Sequence, residues 1–323
     1  VNDTRIGITQ GAVDDLALSG LVPQDIAART LGAAELAATG LESTRIPDGY
    51  VIPYFDIHGD AAPYYRIKNL DPHTPAKYRA LKDMPNHVYF PPGLTRLLAN
   101  KQNKFIIITE GEKKAAAACK LGFPTIGLSG VDNWRNRQIT LPEATKFTSI
   151  KGRNVIQARI PSGDSNSLVI QDTGVVAVGF HDLIDHLVKE RMEAIIVFDS
   201  DGPNGVKNEV QRAAAQLGYE LRYRGLPINA IRQLILPAGK GTKVGLDDYL
   251  MSNGAKTFAS LLRSCRRKRI AFPRHPNPKT FVSTRLQKGK LSRKETQDVA
   301  LSILMELESR VYRYTYADGS TDW

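Results

Sequence analysis

The sequence predicts an α/β chain: a mostly parallel sheet flanked by helices, preceded by a small α+β basic subdomain and followed by a basic linker and a helical and strand-forming C-terminal piece. Three observations carry that expectation. Short, continuously apolar runs, "KFIIIT" at 104–109 and "AIIVF" at 194–198, alternate with helical patterns. Strands buried on both faces of a parallel sheet read this way. A hairpin pattern lies upstream, and a dense basic run lies downstream.

Composition sets the bounds. The 323 residues suffice for two or three domains, and 42% hydrophobic with 24% charged is ordinary for a globular protein. No apolar run approaches the roughly 18 residues of a membrane span. The first 20 residues lack the basic start and apolar core of a signal peptide, so no membrane partner is expected. Cys119 and Cys265 are the only cysteines, too few for a four-thiolate zinc site. Cys119, within "KKAAAACKLG", reads as a small core residue, and a reducing, cytoplasmic compartment suits the chain. The sequence stops at Trp323 in mid-pattern, as a piece of a longer protein would.

In chain order, residues 11–40 read as short helices, with Pro23 in a first turn and Gly32 as a stop. "YVIPYFDIHGDAAPYYRIKN" (50–69) reads as two strands around a His-Gly-Asp turn. "PAKYRALKDMPNHVYFPPG" is irregular and carries Lys77, Arg79 and Lys82. "KFIIIT" is a strand, "EGEKKAAAACKLG" a helix ending at Gly122, and "PTIGLSG" the next strand. Residues 135–193 interrupt the alternation and read as an insertion, with extra strands at "RNVIQARIP" and "SLVIQDTGVVAVG" and an amphipathic helix at "FHDLIDHLVKERM". The alternation resumes with "AIIVFDSD", the helix "GVKNEVQRAAAQLG", strands at "YELRYR" and "RQLILPA", and a helix after "VGLDDYL". A good amphipathic helix, "SRKETQDVALSILMELESR", follows the basic run.

The net charge of +11 is concentrated. Residues 263–294 hold 12 Lys or Arg, Arg266, Arg267, Lys268 and Arg269 among them, and no acid, which leaves the rest of the chain close to neutral. Such a run, rich in Pro and Gly, suits either an exposed arm on phosphate backbones or a solubilising linker.

In an open α/β sheet, ligands gather beyond the carboxyl ends of the strands. Three acidic groups fall there: Glu110 after "FIIIT", Asp199 and Asp201 after "AIIVF", and Asp247 with Asp248 after the segment that follows "LILPAG". Two aspartates on one turn repel unless a cation lies between them or one is protonated. The alternative is a solvated turn in which one of them caps the next helix. Carboxylates converging from separate strands favour the cation, and Mg²⁺ or Mn²⁺ accepts such ligands together with phosphate oxygens. Gly111 permits close approach of backbone or phosphate. Lys113 and Lys114 would face that phosphate or serve as surface charges. "PAGKGTKVG" is rich in Gly and Lys but lacks the spacing of a nucleotide-binding P-loop.

"ITEGEKKAAAACKLGFPTIGLSGVDNW" together with "IIVFDSDGPNG" resembles the TOPRIM domains of bacterial-type primases, topoisomerases and related nucleases. The upstream "VIPYFDIHGDAAPYYRIKN" and "AKYRALKDMPNHVYFPPGL" resemble the basic subdomain that precedes TOPRIM in primases, and residues 11–264 resemble the front of phage and plasmid replication proteins. The resemblance implies domains at 1–100 (basic, primase-like), 101–264 (TOPRIM-like, catalytic, with the 135–193 insertion) and 265–323 (basic arm and the start of a C-terminal module). It implies Glu110 as the catalytic acid with Asp199 and Asp201, and a metal held by Glu110, Asp199, Asp201, Asp247 and Asp248. Arg66, Lys77, Tyr78, Arg79, Lys113 and Lys114 would contact nucleotide or template. Arg66 and Lys77 are expected to serve substrate use rather than stability. The implied partners are single-stranded DNA, nucleoside triphosphates and a helicase domain or protein. The implied function is metal-dependent primer synthesis in a mobile element. A TOPRIM nuclease and a non-catalytic single-stranded DNA-binding module serving a helicase are the alternatives.

Overall fold

Two sheets of different character share one helix between them. The computed structural model describes residues 8–41, 47–72, 76–135, 138–142, 160–161, 167–171, 176–201, 208–238, 243–265, 314–315 and 321–322. Val1–Thr145 and Val155–Ile270 form one compact unit, and Lys146–Asn154 with Ala271–Trp323 form a second.

The first unit opens with helix α1 (Gln10–Ala17), whose N-terminus is capped by the Thr9 hydroxyl. A 3₁₀ turn follows at Pro23–Ile26, where the Asp25 carboxylate accepts the Val22 N–H. Strand β1 (Arg29–Thr30), helix α2 (Ala33–Ala37) and strands β2 (Gly49–Phe55), β3 (Ala61–Asn69) and β4 (Tyr78–Ala80) come next. The four strands form an antiparallel sheet in chain order. The β2–β3 turn is closed by Asp56, which accepts N–H groups from His58 and Asp60. Side chains alternate along β2 as the period-2 pattern requires. Tyr50, Ile52 and Tyr54 point into one core with Ala12 and Leu16, while Val51 points into another with Leu36 and Ile67.

After helix α3 (Leu94–Ala99) the chain enters the parallel sheet: β5 (Phe105–Glu110), helix α4 (Glu112–Lys120) and β6 (Thr125–Leu128). A second, three-stranded antiparallel sheet is formed by β7 (Gln138–Pro142), β8 (Ile160–Pro161) and β9 (Ser167–Gln171), in the order β7-β9-β8. Helix α5 (Phe180–Lys189) buries Phe180, Leu183, Ile184 and Leu187, one face at helical spacing. Strand β10 (Glu193–Val197), the short β11 (Ser200–Asp201), helix α6 (Asn208–Tyr223), β12 (Ile231–Gln233), β13 (Lys243–Val244) and helix α7 (Leu246–Cys265) complete the unit. Gly254 breaks α7 with φ 75°. The parallel sheet runs β12-β10-β5-β6, and β11 pairs with β13 as a separate antiparallel ribbon. In the second unit, β14 (Tyr314–Thr315) pairs antiparallel with β15 (Thr321–Asp322). Among the described residues no helix is long and apolar enough to cross a membrane.

The mixed α/β class with a parallel sheet flanked by helices is as the sequence predicts. Strand β4 falls in the stretch read as irregular, and α7 begins at Leu246 within "VGLDDYL" rather than after it. The helix expected at "SRKETQDVALSILMELESR" lies outside the described residues, and one expected strand is helical. "YELRYR" belongs to α6, which continues through Gly218 to Tyr223. The strand-like alternation is outweighed by Ala214, Leu217 and Leu221, which bury one helical face. A mid-helix Gly costs about 1 kcal/mol relative to Ala, less than that burial returns.

Helix α4 is the shared layer. Ala115, Ala116 and Ala117 pack on the tyrosines of the antiparallel sheet, whereas Ala118 packs with Ile107, Ile195 and Val197 of the parallel sheet. Four consecutive alanines let both sheets approach one helix closely. The entry to α4 is equally tight. Gly111 has φ 96°, and a Cβ on Gly127 would lie 2.8 Å from the Gly111 carbonyl oxygen and 3.2 Å from its carbon. Neither backbone can yield, so Gly127→Ala should lower the unfolding free energy by about 1–3 kcal/mol, read as a lower urea midpoint at unchanged slope.

Candidate functional site

Strand register builds the site. β5 pairs in parallel with β10, Thr109 beside Val197, and with β6, Glu110 beside Leu128. Glu110 therefore ends its strand level with Phe198, one residue short of Asp199 on the neighbouring strand. The two acids leave the sheet at adjoining ends of one edge, the edge where such sheets hold ligands. The β11–β13 ribbon lies beyond, with Asp201 opposite Lys243 and Ser200 opposite Val244. The backbone of Asp201 is described but its side chain is not. Arg266, Arg267, Lys268 and Arg269 lie outside the described residues.

Asp199 is buried, its side chain 6% exposed. Lys114 donates to both of its oxygens, at 2.6 Å (Oδ1) and 2.8 Å (Oδ2), and the Lys243 ammonium lies 3.0 Å from Oδ2. Burying a carboxylate is tolerable only with such partners. Asp247 is buried and accepts from the Ser19 hydroxyl at 2.6 Å, and Asp248 accepts the Gly245 N–H at 3.0 Å. These groups are neighbours: a Cβ on Gly245 would meet Lys114 Cε at 2.8 Å, Asp247 Oδ1 at 2.9 Å and Asp248 Oδ2 at 3.1 Å. The structure thus gathers Asp199, Lys114, Asp247 and Asp248 at the start of α7.

The donor types at this edge, carboxylate and hydroxyl oxygen, are those a hard cation takes. Carboxylate oxygens come from the ends of β5 and β10, and the Thr109 and Ser200 hydroxyl oxygens are buried without a hydrogen-bond partner among the described residues. No group of three or more His, Cys, Asp or Glu side chains is placed to hold a metal among the described residues. The Asp199 oxygens are instead held by the Lys114 and Lys243 ammonium groups.

The remaining candidates divide between packing and surface. The Arg66 side chain is 12% exposed and donates at 2.6 Å to Glu112, itself 1% exposed. Tyr54 donates to the same Glu112 oxygen at 2.6 Å. Burial alone would lower the Arg66 pKa, but the Glu112 charge outweighs it and holds the guanidinium above its ordinary range. Tyr78 lies under two cations, with the Arg66 guanidinium 4.8 Å and the Lys68 ammonium 4.6 Å from its ring centre. Burial lowers the Lys68 pKa. Lys113 donates to Asp15, at 2.9 Å to the carbonyl and 3.0 Å to Oδ2, and Tyr50 donates to that same Oδ2 at 2.7 Å. Lys77 is exposed and Arg79 half-buried.

Sequence reasoning passed over Glu112 and Lys243. The signal for Glu112 was the second acid of "EGE", on the first residue of a helix, where a negative charge is favoured by the dipole. The only signal for Lys243 was its place in the Gly- and Lys-rich segment ahead of α7.

The family model described as a domain of unknown function, DUF3854, matches residues 96–156 and 171–257, a span that runs from α3 into α7 and leaves out the four-stranded antiparallel sheet β1–β4. No curated protein sequence matches the chain. Among solved structures, the Aquifex aeolicus primase (zinc-binding and RNA polymerase domains) superposes with a TM-score of 0.51 at 13% identity, over 90% of this chain and 61% of that one. The present chain thus spans about 61% of the length of that relative. The E. coli primase catalytic core matches with a TM-score of 0.48 at 13% identity, over 94% of this chain and 86% of that one. At this identity the likeness to the Aquifex chain is one of fold.

The Arg66–Glu112 pair corrects the expectation that Arg66 is dispensable for stability. Arg66→Ala leaves a buried carboxylate without its cation and should cost about 3–5 kcal/mol in denaturant unfolding. Lys77→Ala, on the exposed surface, should stay within about 0.5 kcal/mol of the parent.

Proposed function

We propose that this chain carries a primase-like, metal-dependent nucleotidyltransferase of the TOPRIM type, acting in the cytoplasm in the replication of a phage, plasmid or other mobile element. One observation carries the reading: Glu110 and Asp199, the acids of "ITEGEKK" and "IIVFDSD", emerge at adjoining ends of parallel strands in a fold shared with a bacterial primase. Single-stranded DNA is the template and nucleoside triphosphates are the substrates, with a helicase domain or protein as partner.

Glu110, Asp199 and Asp201 would hold Mg²⁺ or Mn²⁺, with Asp247 and Asp248 at the start of α7. Bound there, the ion supplies Lewis acidity to phosphoryl oxygens and neutralises charge that builds up during transfer. The 3′-hydroxyl oxygen forms the new bond to the α-phosphorus, and pyrophosphate leaves. Lys77 and Arg79, on and beside the outer strand β4, attract template or triphosphate. Arg66 and Tyr78 act behind them, as the packed support of that surface. Lys114 fixes Asp199. The basic run 263–294 supplies sequence-independent affinity for the strand.

A second reading rests on a specific observation: Asp199, Asp247 and Asp248 already have partners in Lys114 and Lys243, in Ser19 and in the Gly245 N–H. A non-catalytic single-stranded DNA-binding module that serves a helicase would retain this arrangement.

Incubation with single-stranded template, Mg²⁺ or Mn²⁺ and labelled nucleotides separates the readings. Short templated products are expected from the parent protein, and none from Asp199→Asn assayed below its own unfolding transition, which loss of the Lys114 pair lowers. Cut template instead of products would indicate the nuclease, and neither product would indicate the binding module. Full synthesis in EDTA would sink the metal-dependent reading. Binding to single-stranded DNA should weaken with salt by about −0.7 in log–log slope per phosphate contact. Truncation after Leu262 should flatten that slope, and an unchanged slope would remove the basic run from the interface.

A further inference from the structure

Strand β3 carries a lysine on its covered face. Lys68 stands directly opposite Tyr50 on β2 and Tyr78 on β4, and directly opposed residues share a face of the sheet. On that face Tyr50, Ile52 and Tyr54 meet Ala12 and Leu16 of α1 and the alanines of α4. Lys68 is half-buried, its ammonium 4.6 Å from the centre of the Tyr78 ring, and it makes no hydrogen bond or ion pair among the described residues. Four charges act on it. Asp15 on α1 attracts it, but Asp15 Oδ2 already accepts from Lys113 and Tyr50. Glu112 on α4 attracts it as well, and is held by Arg66 and Tyr54. Lys113 on α4 and Lys77 ahead of β4 repel it. Burial is the largest influence, and together with the two lysines it lowers the Lys68 pKa against the pull of both acids. A desolvated cation without a counter-ion destabilises a fold, and the ring beneath the ammonium offsets only part of that.

We propose that Lys68 is the anchoring cation of a phosphate-binding site at the end of β3, with Lys113 and Lys77 adding positive potential around it. The phosphate belongs to a nucleoside triphosphate or to a single-stranded DNA backbone, which share this chemistry. Within the group Lys68, Lys77, Lys113 and Asp15, positive charge exceeds negative by two. One terminal phosphate or two successive backbone phosphates balance that excess. The ammonium supplies charge-assisted hydrogen bonds to phosphate oxygens that no carboxylate in reach now takes. The site adjoins the acidic edge, since Asp247 is among the charges acting on Tyr78. The proposal rests on reading this unit as one that handles phosphates, by transfer or by binding alone. It places the phosphate on the covered face of the sheet, behind the surface groups Lys77 and Arg79.

Two measurements on the full chain test it without recourse to activity. The first is acylation of individual lysine amines, quantified by mass spectrometry, without an anion, with inorganic tripolyphosphate, and with a short dT oligonucleotide. Bound phosphate should slow acylation of Lys68 and Lys77 severalfold, while exposed Lys104, at the opposite end of β5 from Glu110, keeps its rate. Protection by tripolyphosphate alone assigns the site to the triphosphate, and protection by the oligonucleotide alone assigns it to the strand. The second is the same protection of Lys77 in variants, which reports this site rather than the basic run 263–294. Lys68→Met should need about tenfold more anion, the scale of one hydrogen bond to a charged group, and Lys68→Arg should stay close to the parent. The thermal midpoint of Lys68→Met should equal or exceed the parent's, because a cation short of counter-charge is lost. If calorimetry shows either anion bound while Lys68 or Lys77 keeps its rate, the site is wrong and the phosphate-handling reading survives. The same holds if Lys77 in Lys68→Met is protected at the parent's anion concentration; a lowered midpoint would then mark Lys68 as a packing partner of Tyr78. If the chain binds neither anion, that reading and this inference fall together.

Discussion

The ion pair between Glu112 and Arg66 is the constraint on which the arrangement of this unit depends. It is buried, short and reinforced by the Tyr54 hydroxyl. Its partners come from the first residue of α4 and the middle of β3, so it fixes the antiparallel sheet against the helix that also covers the parallel sheet. The next two residues extend the same logic. Lys113 ties α4 to Asp15 near the end of α1, and Lys114 ties it to Asp199 beyond β10. Three consecutive side chains thus reach three different layers. The alanines behind them supply close packing without steric bulk. Apolar contact alone allows a helix to slide or rotate between two sheets; charged groups at fixed distances do not.

This arrangement also decides which side chains of the antiparallel sheet are structural. The basic and aromatic side chains of β3 and β4 are not a loose track beside the acidic edge. Arg66 is part of the core, Tyr78 is clasped by Arg66 and Lys68, and the groups left at the surface are those beyond them, Lys77 and Arg79. Any phosphate met by Lys77 or Arg79 is met by a surface whose position relative to Glu110 and Asp199 is set through α4. Displacement of α4 would therefore move the antiparallel sheet and the acidic edge together.

The features readable in the sequence were those that depend on local pattern. Continuous apolar runs gave β5 and β10 with their acids at the strand ends, and the His-Gly-Asp turn gave the β2–β3 hairpin. Features that depend on long-range charge pairing were not readable. Arg66 and Glu112 are 46 residues apart, Lys114 and Asp199 are 85 apart, and Ser19 and Asp247 are 228 apart. No periodicity links such pairs, so Arg66 looked like a surface cation and Asp247 like a free ligand. The extension of α6 over "YELRYR" escaped for a related reason. Six residues fit a strand and a helix equally well until their neighbours Ala214 and Leu217 show which face is buried.

Two aspartates on one turn at the end of a buried strand pose an electrostatic problem, and the structure shows how the chain meets it for Asp199. The charge is balanced by lysines, one on a rigid helix and one on a short ribbon, rather than left to repel its neighbour or to await an ion. A buried carboxylate left unpaired is unstable, and the resident ammonium groups supply the missing charge. The acidic edge and the Gly- and Lys-rich segment ahead of α7 are therefore two halves of one electrostatic solution.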